Sequence, residues 1–95
     1  MNKVFSLLDE EEENLLKRID DLSKTQRDTL ILSLKGFTNK EVASMEGVRQ
    51  HTINERLSRT RDALGFSNTH EMLCNCLIAI TRQQCEKELI PKFTS

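Results

Sequence analysis

Apolar residues recur along this chain at spacings of three and four, and glycines break the pattern into segments. Over residues 9–21 an acidic run leads into Leu15, Leu16 and Ile19, with Leu22 following. That spacing predicts a helix with one buried stripe, its acids at the positive end of the helix dipole. Ser23 with Gln26 three residues on has capping-box spacing and opens a second helix. Leu30, Ile31 and Leu34 form its expected buried stripe, and Gly36 ends it. Ahead of these elements, residues 1–8 are short and apolar and offer Phe5 and Leu8 for docking on the domain.

The densest pattern lies over residues 37–64. Thr38 is an N-cap candidate with Glu41 at the capping-box position, and Val42, Ala43 and Met45 continue the periodic run. Gly47 interrupts it where a turn glycine belongs. Beyond it Val48, Thr52, Ile53, Leu57, Thr60 and Leu64 restart the apolar set, and Gly65 closes it. Ile53, Leu57 and Leu64 share one helix face, while Arg49, Gln50, His51, Asn54, Glu55, Ser58, Arg59 and Arg61 are left on the others. A short helix, a glycine turn and a second helix with an Arg-rich outer face form a helix-turn-helix signature.

Phe66 to Thr69 is a short connection that docks Phe66 on the core. A last helix is predicted from about 69 to 88, ending before the single proline, Pro91. Residues 72–80 are apolar at nearly every position, more than one buried face of a small monomer requires. A homodimer interface through Leu73, Cys74, Leu77 and Ile78 is the preferred explanation, ahead of the N-terminal helix covering the same face.

Composition adds three constraints. Ninety-five residues with 37% apolar content make one small domain with a modest core. The net charge of −1 conceals a split: residues 1–21 hold seven acids against three bases, residues 22–73 eight bases against six acids. Within 49–61 there are four arginines and one glutamate, a local basic patch. No membrane-length apolar run and no signal-peptide pattern occurs, and three cysteines without scaffold spacing suit reduced thiols in a cytoplasmic protein.

Leu22-Ser23, Leu30, Leu34, Gly36, Thr38-Asn39-Lys40-Glu41-Val42-Ala43, Val48, Thr52-Ile53, Leu64-Gly65-Phe66, Asn68 and Glu71 together resemble the LuxR-type (GerE-like) DNA-binding domain. The likeness covers about 22–79. It implies an all-α fold: a four-helix helix-turn-helix domain over 22–80, an extra N-terminal helix in an acidic extension (1–21), and an extended C-terminal helix ending in a tail (81–95). It further implies a transcription regulator whose third domain helix enters the major groove and whose last helix dimerises. With about twenty residues ahead of the likeness, a stand-alone member without a sensor domain is expected. Residues 56–64 also look like the fourth region of sigma factors, built on the same motif, while the Asn68 and Glu71 continuation favours the LuxR-type likeness.

Departures from the family pattern fall at four places. Thr25 and Gln26 stand where Arg and Glu are usual. Glu46 replaces the leucine before the turn glycine and must face solvent or find a partner. Arg49 occupies a usual Ser/Thr cap, and Arg56 a frequent histidine.

Carried over position by position, the likeness implies a recognition helix over about 50–64 that presents Asn54, Glu55 and Ser58 to base edges. Asn pairs bidentately with adenine and Glu accepts from cytosine. Thr38, Asn39 and Lys40, at a helix start, suit a phosphate oxygen. Arg49, Gln50, His51, Thr52, Arg56 and Arg59 are candidates for flanking phosphates. Lys35 and Arg61 read first as solvated surface charge, His51 equally as a plain surface residue, and Thr52 as partly a packing residue.

His70, Cys74, Cys76 and Cys85 are four zinc-type ligands, yet Cys74 and Cys76 lie on different sides of one helix, so no metal or other cofactor is expected. No nucleophile with its base and no phosphate loop is present, which predicts a protein that is not an enzyme. The expected partners are double-stranded DNA and a second copy of the chain. The alternative is a protein-interaction module for RNA polymerase or another regulator, toward which the acidic N-terminus, Glu46 and Glu55 lean.

Overall fold

The computed structural model describes residues 9–94, with side chains as far as Cys85. The expected docking of Phe5 and Leu8 lies outside these residues. Five helices follow in order: α1 (Glu10–Asp20), α2 (Lys24–Leu34), α3 (Asn39–Glu46), α4 (Gln50–Leu64) and α5 (Thr69–Thr94). Among the described residues there is no strand, so the fold is all-α as the periodicity predicted.

Local chemistry sets most of the boundaries. Asp9 caps α1 by accepting from the Glu12 N–H at 2.8 Å. Ser23 and Gln26 form a complete capping box at α2, and Thr38 and Glu41 another at α3. Asn68 accepts from the Glu71 N–H at 2.8 Å and so starts α5. These bonds satisfy amides that would otherwise lack a partner in the first turn, each worth about 0.5–2 kcal/mol. Gly47 and Gly65 take the left-handed conformation, φ 70° and 81°, that ends α3 and α4. Behind each glycine the Val48 and Phe66 N–H groups close back onto the Ala43 and Arg61 carbonyls, both at 3.0 Å.

The core collects Leu15, Leu16 and Ile19 from α1, Leu30 from α2, Val42 and Ala43 from α3, Ile53, Leu57 and Leu64 from α4, and Met72, Cys76 and Ala79 from α5. Leu30, Ile53, Leu64 and Met72 are essentially inaccessible, and each such burial contributes about 1.5–3 kcal/mol. Phe66 packs half-buried against this cluster, as the sequence predicted. Burial also pushes the Cys76 thiol up to about 11, which keeps it a neutral core group at ordinary pH.

Three expectations are corrected. Ile31 does not join the buried stripe of α2: it is 38% exposed, while Thr29 is fully buried in its place. One residue is about 100° around a helix, so with Leu30 centred on the core Ile31 turns outward and Thr29 turns toward α3. Met45, expected within a periodic run, lies outside on α3 at 55% exposure. Third, α5 does not stop before Pro91 but continues to Thr94, forgoing the one N–H bond that proline lacks.

The apolar excess of α5 is shared between two fates. Helix α1 packs along α5, and Arg82 donates to Glu12 Oε1 at 2.6 Å across that contact. Covering by α1, the less favoured of the two explanations, therefore applies to part of α5 only, and Cys74 on the expected interface is exposed. Leu77 and Ile78 also remain about half exposed. No helix among the described residues is long and apolar enough to cross a membrane.

Candidate nucleic-acid interface

Helix α4 is positioned by contacts with all four other helices. Ile53, Leu57, Thr60 and Leu64 anchor its inner face. The Gly47 turn fixes its angle to α3, and Arg18 of α1 donates to the Leu64 carbonyl at 3.3 Å, satisfying an acceptor at its last turn. Thr60 is buried without loss because its hydroxyl donates to the Arg56 carbonyl at 2.7 Å.

The outer face carries the residues expected to meet bases. Asn54 and Glu55 are exposed and Ser58 is half-buried. They are not equally at liberty. Asn39 donates through Nδ2 to Asn54 Oδ1 at 2.7 Å, and Arg61 donates through Nη2 to Ser58 Oγ at 3.1 Å. Arg61 also reaches Asp62 Oδ1 at 3.4 Å, a surface pair of small energetic value.

The phosphate candidates divide in the same way. Arg49, Gln50, His51 and Arg59 are exposed, Lys40 is exposed on α3, and Thr52 is half-buried in keeping with a packing role. Arg49 stands at the N-cap of α4 and makes no side-chain capping bond, so the weakened cap expected there is present. Thr38 spends its hydroxyl inside the capping box, accepting from the Glu41 N–H at 3.2 Å. Its own N–H donates to Glu41 Oε1 at 3.0 Å. Hydrogen bonding to the carboxylate itself, from the Thr38 N–H first and the Thr38 side chain second, holds the Glu41 carboxyl below its ordinary value of 4.5.

Arg56 has a different office. It forms an ion pair with Glu46 Oε2, and the buried Thr29 hydroxyl donates to the other carboxylate oxygen at 3.3 Å. With only 22% and 15% of the two side chains exposed, this is a largely buried network joining α2, α3 and α4. The partner demanded by Glu46 is thus Arg56, so the two positions that stood out against the LuxR-type likeness meet in one ion pair. The sequence pattern gives no sign of the part Thr29 plays. The signal it does carry is the coincidence of an unexpected acid before the turn and an unexpected base after it.

On α5, Leu73 is half-buried, whereas Cys74, Leu77 and Ile78 are exposed. Cys74 Sγ lies 3.6 Å from His70 Nε2 while Cys76 faces the core, so the four zinc-type ligands do not converge. Among the described residues no cluster could hold a metal.

A family model described as sigma-70, region 4 matches residues 12–64. The matched segment runs from the first turn of α1 to the last residue of α4, so it includes both helices of the motif and leaves α5 outside. No curated protein and no solved structure matches the chain. The match spans more than half of the chain and contains the whole of the motif that carries Asn54 and Arg59. The chain belongs to the sigma-70 region 4 family, a helix-turn-helix, DNA-binding and transcription-related domain.

Proposed function

We propose that the protein is a sequence-specific transcription regulator that lays α4 in the major groove of double-stranded DNA, as a homodimer and without catalysis. The observation that carries this is the outer face of α4: Asn54 and Glu55 stand exposed between Arg49 at one end and Arg59 toward the other. Base-reading groups flanked by exposed guanidinium groups are what groove binding requires. Family membership supports a role on DNA or with RNA polymerase. The half-exposed Leu77 and Ile78 support dimerisation, since two apolar side chains on one helix gain by covering each other. A DNA-binding role requires the compartment that holds DNA, which in a cell without a nucleus is the cytoplasm.

The finer LuxR-type assignment rests on the Asn68 and Glu71 continuation, which lies beyond the matched residues. In the fold Asn68 is a helix cap, a demand that any helix start makes. The proposal therefore stands on the motif itself and uses neither residue.

A second reading is a module that binds RNA polymerase or another regulator. The acidic start of α1, with exposed Asp9 and the acids that follow it, and the neutralisation of Arg56 favour it. Arg49→Ala combined with Arg59→Ala separates the two, because neither side chain is part of the core or of the Glu46 network. Selection from random duplex DNA followed by salt-titrated anisotropy should show an enriched sequence for the wild type. The double variant should weaken binding and flatten the log K against log salt slope by about 2. An unchanged slope would remove α4 from the interface, and capture of polymerase or a regulator would then support the second reading.

A further inference from the structure

The base-edge candidate Asn54 is held from α3. Asn39, the first residue of that helix, donates its Nδ2–H to Asn54 Oδ1 at 2.7 Å. Asn39 stands at the positive end of the α3 dipole, where the oxygen end of its amide is favoured, and the nitrogen end is the one turned to Asn54. In this pair Asn54 keeps one Oδ1 lone pair and both Nδ2 protons for a ligand.

A carboxamide offers one acceptor and one donor side by side, and turning the amide over exchanges their positions. Adenine in the major groove presents the N6 amino donor beside the N7 acceptor, so a bidentate asparagine must offer its two atoms in the matching order. The atom of Asn54 that is tied to Asn39 decides that order. We infer that Asn39 is a specificity-determining residue: without touching a base, it fixes the orientation of the Asn54 carboxamide and so selects the base preferred at the one position Asn54 reaches. This rests on the DNA-binding function proposed above.

Asn39→Asp tests it with little risk to the fold, because aspartate is favoured in the first turn of a helix. The ionised carboxylate introduced by this change only accepts, so Asn54 must turn its Nδ2 toward α3 and reverse its outer edge. Asn39→Ala removes the tether instead. Both are compared with the wild type and Asn54→Ala by selection from random duplex DNA, after circular dichroism confirms helix content and melting. Asn54→Ala should flatten preference at one base pair and thereby locate it. At that pair Asn39→Asp should change the preferred base, by roughly tenfold in relative affinity, and Asn39→Ala should relax the preference by a few-fold. Other positions should keep their preferences, while the negative charge added by Asn39→Asp lowers affinity evenly across sequences.

Wild-type base preference retained by both Asn39 variants at the pair located by Asn54→Ala would overturn the inference and leave DNA binding by α4 intact. A pattern unaltered in Asn54→Ala would also overturn it, by removing Asn54 from the bases. Failure of the wild type to enrich any sequence would overturn the inference together with the function beneath it.

Discussion

The shoulders of α4 and its crest carry the same kinds of side chain put to opposite uses. On the shoulders, where the helix borders its neighbours, Arg56 is paired with Glu46 and Asn54 is tied to Asn39. On the crest His51, Glu55 and Arg59 are exposed. Arg56 and Arg59 are three residues apart and look alike in the sequence, yet one belongs to the fold and the other to the surface. Residue type alone therefore does not make a phosphate contact. What matters is whether another part of the chain has already claimed the charge.

The sharpest way to break this distinction is to remove each arginine in turn and measure thermal unfolding. Arg56→Ala strands the Glu46 carboxylate in a mostly buried site. Breaking a fully buried pair costs about 3–5 kcal/mol; because 22% of the Arg56 side chain remains exposed, we expect about 2 kcal/mol. That lowers Tm by roughly 10 °C for a domain of this size. Arg59→Ala should stay within about 0.5 kcal/mol of the wild type. Glu46→Ala should resemble Arg56→Ala, and the double variant should cost less than the two single losses together. Equal effects at Arg56 and Arg59 would erase the contrast between shoulder and crest.

A smaller effect is expected at Arg49, which gives up a helix cap to remain an exposed charge. Arg49→Ser should stabilise the protein by about 0.5–1 kcal/mol, because serine satisfies a first-turn N–H of α4. The same change should reduce the salt slope of DNA binding by about 1. Gain in stability with no change in the slope would mark Arg49 as an uncapped helix start and nothing more.

The smallest effect concerns Glu41, which is bound to the start of its own helix. Its carboxyl is depressed in the folded state, so its contribution is present above its ordinary value of 4.5 and is lost as pH falls through the lowered one. Glu41→Gln should therefore flatten the acid side of the stability profile as pH falls below the ordinary value of 4.5, with little change at neutral pH. An identical acid limb in both proteins would show that the capping bond does not persist in solution.

Much of the fold was legible because it is written in short-range chemistry. Ser23 with Gln26, Thr38 with Glu41, Gly47 and Gly65 each act within a few residues, and α4 begins and ends where its pattern does. The core face of α4 followed from the same periodicity. The sequence did not reveal what depends on a neighbour distant in the chain. The outward turn of Ile31, the burial of Thr29 and the pairing of Glu46 with Arg56 all follow from how α2, α3 and α4 cross. The site suffers more than the fold for this reason. Its candidates were chosen by residue type and face, and the bonds that restrain Asn54 and Arg56 come from α3, outside that pattern.

Asn39 and Glu46 are the first and last residues of α3, and each is fastened to α4. Their partners, Asn54 and Arg56, are two residues apart and so about 200° around that helix, on opposite sides of it. The short helix thus acts as a bracket, gripping the longer one at two points about 10 Å apart along its own length. A bracket with two fastenings resists both hinging and twisting, which the glycine turn by itself would not. The pair is expected to open as one cooperative unit, its backbone amides exchanging with deuterium at a shared rate. A partner docking on α4 would then meet a surface whose ordering had been settled when the chain folded.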